Sequence, residues 1–292
     1  MRMAAWLDEM LSSGPILTDG AWGTELQARG LALGEMPDAW NLSHPDRVEA
    51  VARAYVDAGS RVVLTNTFRA SRIALENHPE VDRVVELNRA GVAISKRAAG
   101  NDARVFASIG PSGKLLLSGG VSKEQLAASF YEQAEALCEG GADAIVVETM
   151  ADLAEAEIAI EAAKATGLPV VACMVFDSGK HKDRTAMGTT ATQAAEALGA
   201  LDVDVIGANC GNGIEGYIPV CAEYAAASDK PIWIKANAGI PELKNGEVVY
   251  DTTAEEFADF LPRLIEAGAT FVGGCCGTSP QFIQALKDKL AK

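Results

Sequence analysis

Gly140-Gly-Ala-Asp-Ala-Ile-Val-Val-Glu148 contains in nine residues the unit from which this fold is read. Two glycines that end a helix lead into a short β-branched run, and a carboxylate stands at its far end. The unit recurs along the chain. Ala58-Gly59-Ser60 precedes a predicted strand at Val62–Thr65, and Ala267-Gly268-Ala269 precedes another at Phe271–Gly273. Ile16–Thr18, Val105–Ile109, Ala144–Val147, Val170–Val175, Val205–Ala208 and Ile232–Ala236 bring the predicted strands to eight. These runs are apolar without strict alternation, as expected of parallel strands covered by helices on one face and packed side chains on the other.

Between the strands lie amphipathic stretches with N-terminal signatures. Ser122-Lys-Glu-Gln125, Thr190-Ala-Thr-Gln193 and Thr253-Ala-Glu-Glu256 each place Ser or Thr three residues before Glu or Gln, the spacing of a capping box. Ser279-Pro280 adds an N-cap followed by proline at the first helical position. Eight strand–helix units without a Pro/Gly/Ser-rich linker predict a single (β/α)8 TIM-type barrel spanning residues 1–292, with a doubly wound open sheet as the alternative. Gln27–Ser43 and Phe176–Gly188 carry no clear pattern and follow strand ends, so they are expected to be substrate loops on the catalytic face.

The chain has 292 residues, 25 basic and 40 acidic, for a formal net charge of −15. That balance repels phosphate backbones and anionic lipid, which excludes nucleic acid and membrane surfaces as expected partners. The first ten residues lack a basic segment and a long apolar run, and no stretch approaches a membrane span, so a cytoplasmic location is expected. In that compartment six cysteines are expected to be buried, catalytic or metal-bound rather than paired.

The polar residues at the strand ends are Asp19, Asn66, Glu148, Asn209 with Cys210, Asn237, and Cys275 with Cys276. On a barrel they ring one mouth. Three thiols on two strands, flanked by glycines, suit a zinc site with three protein ligands and one open position. Adjacent strand residues face opposite ways, so Cys275 and Cys276 share a metal only if the chain turns there, a freedom that Gly277 supplies. Small buried thiols, the expectation for Cys138, Cys173 and Cys221, or a redox role for the vicinal pair are the competing readings. His44, His78 and His181 sit in polar or proline-adjacent contexts and read as surface residues.

Asp19-Gly-Ala-Trp-Gly-Thr24, Thr65-Asn-Thr-Phe68, Gly110-Pro111, Glu148-Thr149, Asn209-Cys210, Asn237-Ala-Gly-Ile-Pro241 and Gly273-Gly-Cys-Cys-Gly-Thr278 together resemble the homocysteine S-methyltransferase family. The matches run in order from Asp19 to Pro280. That family includes betaine– and S-methylmethionine–homocysteine methyltransferases and the N-terminal module of cobalamin-dependent methionine synthase. The resemblance implies that Cys210, Cys275 and Cys276 ligate Zn²⁺ and activate the thiol of homocysteine. It also implies that Asp19 and Glu148 bind the acceptor's amino group, an assignment consistent with charge-assisted hydrogen bonding. The backbone of Ala21, Trp22, Gly23 and Thr24 is expected near the substrate carboxylate, and Asn66, Asn209 and Asn237 are expected to line the same pocket.

The methyl donor is less constrained. The predicted barrel consumes about residues 16–290, so the donor is expected as a small molecule or on a separate corrinoid protein. A sulfonium donor calls for aromatic faces, which Trp22, Trp40 and Phe68 either supply or forgo as packing residues. Thr149 stands where the betaine enzymes carry a tyrosine, and Asp38-Ala-Trp-Asn41 loosely resembles a loop of the S-methylmethionine enzymes. A sulfonium is therefore expected first, a methyl-corrinoid protein second and betaine third. The rival readings are a Schiff-base enzyme using Lys235, the one strand-borne lysine, and a non-catalytic barrel with structural zinc or redox cysteines.

Overall fold

The computed structural model describes residues 5–239, 242–244 and 247–291. Ile240 and Pro241 of the Asn237–Pro241 motif, and Met1–Ala4 of the N-terminal segment, lie outside the described residues. Eight parallel strands form one sheet: β1 (Ile16–Leu17), β2 (Val62–Val63), β3 (Arg104–Ile109), β4 (Ala144–Met150), β5 (Val170–Met174), β6 (Val205–Gly213), β7 (Ile232–Asn237) and β8 (Ala269–Gly274). Their order is β1-β8-β7-β6-β5-β4-β3-β2, with helices in the connections, as a (β/α)8 barrel requires. The seam between β1 and β2 is closed by Arg61 N–H donating to Leu17 O at 2.8 Å. A side chain reinforces it, because Leu64 N–H donates to Asp19 Oδ2 at 2.8 Å.

Every predicted strand is present, with shifted ends. β4 and β6 continue to Met150 and Gly213 through register irregularities that begin after Val147 and Asn209. The three capping boxes all form, with both reciprocal hydrogen bonds, at helices Lys123–Glu139, Ala191–Ala200 and Ala254–Asp259. Ser279 occupies the N-cap of Pro280–Leu290 without a side-chain cap bond. Gln27–Ser43 is not structureless: Pro37–Ala39 forms a 3₁₀ turn and Trp40–Ser43 a short helix.

Two apolar layers follow from the period of the strands. Ile16, Val62, Leu64, Phe106, Val146, Val171, Cys173, Val205, Trp233 and Phe271 fill the barrel interior, and Leu7 and Met10 of helix Ala5–Ser12 pack beneath them. Phe106 is the hub, with its ring 5.9 Å from Trp6 and 6.0 Å from Trp233. The larger layer lies between the sheet and the surrounding helices. With the interior plugged by large side chains, only its upper end is left to polar groups.

Candidate active site

That upper end holds the three cysteines. The carboxyl-terminal run of β6 carries Cys210, whose backbone sits at φ 62°, a left-handed conformation that costs a non-glycine residue about 1–2 kcal/mol. β8 ends at Gly274, and the chain then turns: Thr278 N–H donates to Cys275 O at 3.1 Å, and Gly277 adopts φ 81°. The turn is what the vicinal pair required. A Cβ at Gly277 would run into the Tyr250 ring, so glycine serves there for closeness as well as for conformation. The sulfurs of Cys210, Cys275 and Cys276 all lie within 4.8 Å of one another, with Cys210 and Cys276 3.8 Å apart.

That spacing tests the set as a metal site. Sulfurs bound at about 2.3 Å in a tetrahedron stand about 3.8 Å from one another, the separation already shown by Cys210 and Cys276, and the third sulfur lies within 4.8 Å of both. β7 lies between the two cysteine-bearing strands, and at its end Asn237 is buried with an amide oxygen that has no partner among the described residues. As free thiols the three resist ionisation. The contact with Cys275 favours the Cys210 thiolate, yet the contact with Cys276 and burial push Cys210 up to about 12. For Cys276 the contact with Cys210 is likewise favourable, but proximity to Cys275 and burial also bring it to about 12. A divalent cation reverses that balance by favouring the charged form.

Beside the sulfurs stands Glu148, at the end of β4. It is buried, and burial raises its pKa against the attraction of Lys235 and the hydrogen bond from Ser108. Ser108 Oγ donates to its Oε1, and Asn209 Nδ2 donates to its Oε2 at 3.1 Å. Asn209 also donates to Thr149 Oγ1 at 2.7 Å, accepts from Thr149 N–H at 2.7 Å and approaches Cys275 Sγ at 3.9 Å. It therefore ties the carboxylate to the cysteines. Tyr217 holds the end of β6 from outside, its hydroxyl donating to Cys210 O at 2.6 Å.

Asp19 is fully buried. Its Oδ2 accepts from Trp22 Nε1 at 2.7 Å and from Leu64 N–H, and its Oδ1 is ion-paired with Lys235. The loop it begins is stitched to the cysteine turn. Ala21 N–H is spent on Thr278 O and Oγ1, and Thr24 Oγ1 accepts from Gly277 N–H at 3.3 Å. Space above Gly23 is open, since an added Cβ would meet nothing within 4 Å.

Other expected site residues lie elsewhere. Asn66 spends its amide donors on Pro37 O and Asn41 Oδ1, pinning the first loop. Trp40 belongs to the core, 1% exposed, with its indole N–H given to Glu35 and its ring covered by His44 and Arg47. Packing of that loop, rather than access for a cation, explains its position. Phe68 is half-buried and closes over Gly110. His44 and His78 are also half-buried, and His78 caps a 3₁₀ turn by accepting from Glu80 N–H; His181 is exposed. Cys173 and Cys221 are buried, whereas Cys138 is half-buried.

Two groups had little signal in the sequence. Lys235 is 2% exposed and lies against Asp19, so this lysine of the barrel sheet is an ion-pair partner in a carboxylate site. Tyr250 reaches the cysteine turn from beyond the hairpin of Glu242–Lys244 and Glu247–Val249, its ring lying against Gly277.

Comparison with known proteins agrees with the fold. The model of the homocysteine S-methyltransferase family matches residues 16–290. Methionine synthase of Mycobacterium tuberculosis is 31% identical over 97% of the chain, and that of Mycobacterium leprae 29% identical over 97%. The chain spans about a quarter of the length of both relatives. The metallated form of the homocysteine methyltransferase MmuM from Escherichia coli superposes with a TM-score of 0.79 at 25% identity, over 98% of each chain. Among the described residues no helix is long and apolar enough to cross a membrane.

Proposed function

The chain belongs to the homocysteine S-methyltransferase family, and from that membership we propose that it transfers a methyl group from a small sulfonium of the S-methylmethionine type to the thiol of homocysteine, giving methionine, with zinc held by Cys210, Cys275 and Cys276. The observation that carries the reading is three sulfurs gathered within 4.8 Å at the barrel mouth, next to a buried carboxylate. A free alkyl thiol with pKa near 8.5 is only a few per cent ionised at pH 7. Zinc held by that set would supply a Lewis acid that favours the ionised, nucleophilic form of the thiol.

The chain's own residues orient the acceptor. The carboxylate side of the mouth, Glu148 with Asp19 behind it, draws the ammonium group. The N–H groups of Trp22, Gly23 and Thr24, in the first turn of helix Trp22–Ala28, lack helical partners and suit the acceptor carboxylate. The half-buried Trp22 offers the aromatic face for a sulfonium, its indole N–H fixed by Asp19. Asn209 keeps Glu148 and Cys275 in register. The thiol proton leaves to solvent, so no side-chain base is assigned.

The methionine synthase relatives favour a second reading of the donor, a methyl group delivered by a separate corrinoid protein. Betaine ranks third, because Thr149 leaves one wall of an aromatic cage missing. A structural zinc would require a fourth protein ligand, and among the described residues the cluster holds three. The test is a donor panel with homocysteine: S-methylmethionine, S-adenosylmethionine, dimethylsulfoniopropionate, betaine and methylcobalamin, reading methionine. Turnover with a sulfonium is expected. Turnover with methylcobalamin alone overturns the donor, and failure to bind homocysteine overturns the function.

A further inference from the structure

Cys210 is the sulfur of the centre that β6 supplies, while Cys275 and Cys276 share the turn after β8. Its place depends on an irregularity. From Asn209 to Gly213 β6 advances four residues while β7 advances two, from Lys235 to Asn237, so β6 carries two extra residues there. Within that bulge Cys210 and Gly211 are both left-handed, at φ 62°. Successive carbonyls of a regular strand point to opposite sides, yet the Tyr217 hydroxyl meets two in a row, donating to Asn209 O at 3.0 Å and to Cys210 O at 2.6 Å. The Cys210–Gly211 peptide is therefore turned out of the ladder toward helix Ile214–Ala227. Tyr217 reaches back to it because helical side chains lean toward the N-terminus and this residue stands in the first turn. The tyrosine is 0% exposed, so water does not compete for its hydroxyl.

We propose that Tyr217 is a positioning residue for the cysteine centre: its hydroxyl holds the peptide after Cys210 in the turned-out state, fixes the Cys210 sulfur beside the other two and so sets the affinity for zinc. The inference rests on the reading of the three cysteines as a zinc site. Cys275 and Cys276 are fixed by their own turn, where Thr278 N–H donates to Cys275 O. Cys210 instead relies on a left-handed backbone that a residue with a side chain seldom holds unaided. The neighbouring Asn209 amide is spent on Glu148 and Thr149, and among the described residues the Tyr217 hydroxyl is the side-chain donor that meets Cys210 O. Released from that hydroxyl, the peptide relaxes toward the extended form and the Cys210 sulfur swings away from Cys276, from which it now stands 3.8 Å. A ligand free to swing holds a metal less tightly, because binding then has to order it. Tyr224, on the same helix, offers an internal reference: it is equally buried, yet its hydroxyl has no partner among the described residues.

The experiment measures zinc affinity by competition with a chromophoric chelator and, after cobalt replaces zinc, the thiolate-to-cobalt charge-transfer band. Tyr217→Phe removes one oxygen and keeps the buried ring. It should weaken zinc binding about 10–100-fold and reduce the band per cobalt, while far-ultraviolet dichroism stays that of the wild type. Tyr224→Phe makes the same deletion on the same helix and should leave zinc affinity within about threefold, since among the described residues its hydroxyl has no partner to lose. Zinc affinity in Tyr217→Phe within about threefold of wild type, or equal losses in the two variants, overturns the proposal. A measurement on the wild type guards against a variant that does not fold. Coupling is reciprocal, so zinc loading should slow exchange of the Tyr217 hydroxyl proton with solvent, read by NMR of tyrosine-labelled protein, without slowing that of Tyr224. Exchange at Tyr217 that zinc leaves unchanged overturns the proposal as well. A wild-type protein that takes up no stoichiometric zinc overturns the zinc reading, and the role of Tyr217 with it.

Discussion

Asp38→Asn should stabilise this protein at neutral pH, and the gain can be worked from the structure. Asp38 is 1% exposed in the first loop, where its Oδ1 accepts from Arg69 N–H at 2.9 Å. Among the described residues no cation is in hydrogen-bond contact with it, and burial raises its pKa from 3.8 to about 6 despite that bond. Folding therefore favours the protonated acid. Stability from this group is fully present below pH 3.8 and falls as pH rises to about 6, beyond which the fold carries an ionised buried carboxylate. At about 1.4 kcal/mol per pH unit the cost above pH 6 approaches 3 kcal/mol. Asparagine keeps the accepting oxygen and cannot ionise, so it should recover about 1–3 kcal/mol at pH 8 and nothing at pH 3.5. Urea unfolding of both proteins at intervals from pH 3.5 to 8 isolates the effect, since every other group cancels in the difference. Stability curves that stay parallel across that range would refute the reasoning.

Cys210→Ala or Cys276→Ala should abolish stoichiometric zinc binding, measured by metal analysis after gel filtration, while far-ultraviolet dichroism stays that of the wild type; full metal content in either variant contradicts the site. Phe106→Ala deletes the hub of the barrel interior and should cost about 3–5 kcal/mol in chemical denaturation. Ser122→Ala breaks one capping box and should cost about 1 kcal/mol, with thiol binding unchanged in calorimetry.

The strands were legible because each combines a glycine-closed helix, a β-branched run and a polar end, and these signals do not depend on distant residues. The cysteine turn was legible for a similar reason, since Gly277 beside a vicinal pair has few other uses. Partner choice was not. Asp19 reads as a ligand for an ammonium, and only the fold reveals that Lys235, 216 residues away, already supplies one. Trp40 in sequence is either a donor-site aromatic or a packing residue, and the 3₁₀ turn and short helix of its loop decide for packing by burying it. Asn66 looks like its neighbours at the other strand ends, and its hydrogen bonds to the first loop follow from loop geometry that local spacing does not encode.

Strain at the mouth supports a site built for more than packing. Thr149 and Cys210, at the ends of β4 and β6, both adopt left-handed backbone angles, φ 61° and 62°, that glycine would take without cost. Each therefore forgoes about 1–2 kcal/mol in favour of its side chain. Asn209 explains how the distortions persist: its oxygen accepts from Thr149 N–H and its amide donates to Thr149 Oγ1, while Tyr217 holds the carbonyls of both Asn209 and Cys210. The distorted ends of β4 and β6 are thus fixed to each other over the end of β5, which lies between them. The outcome is that Glu148 and the Cys210 sulfur project into one space with the Cys275 turn, a placement that regular strands with outward alternation could not give.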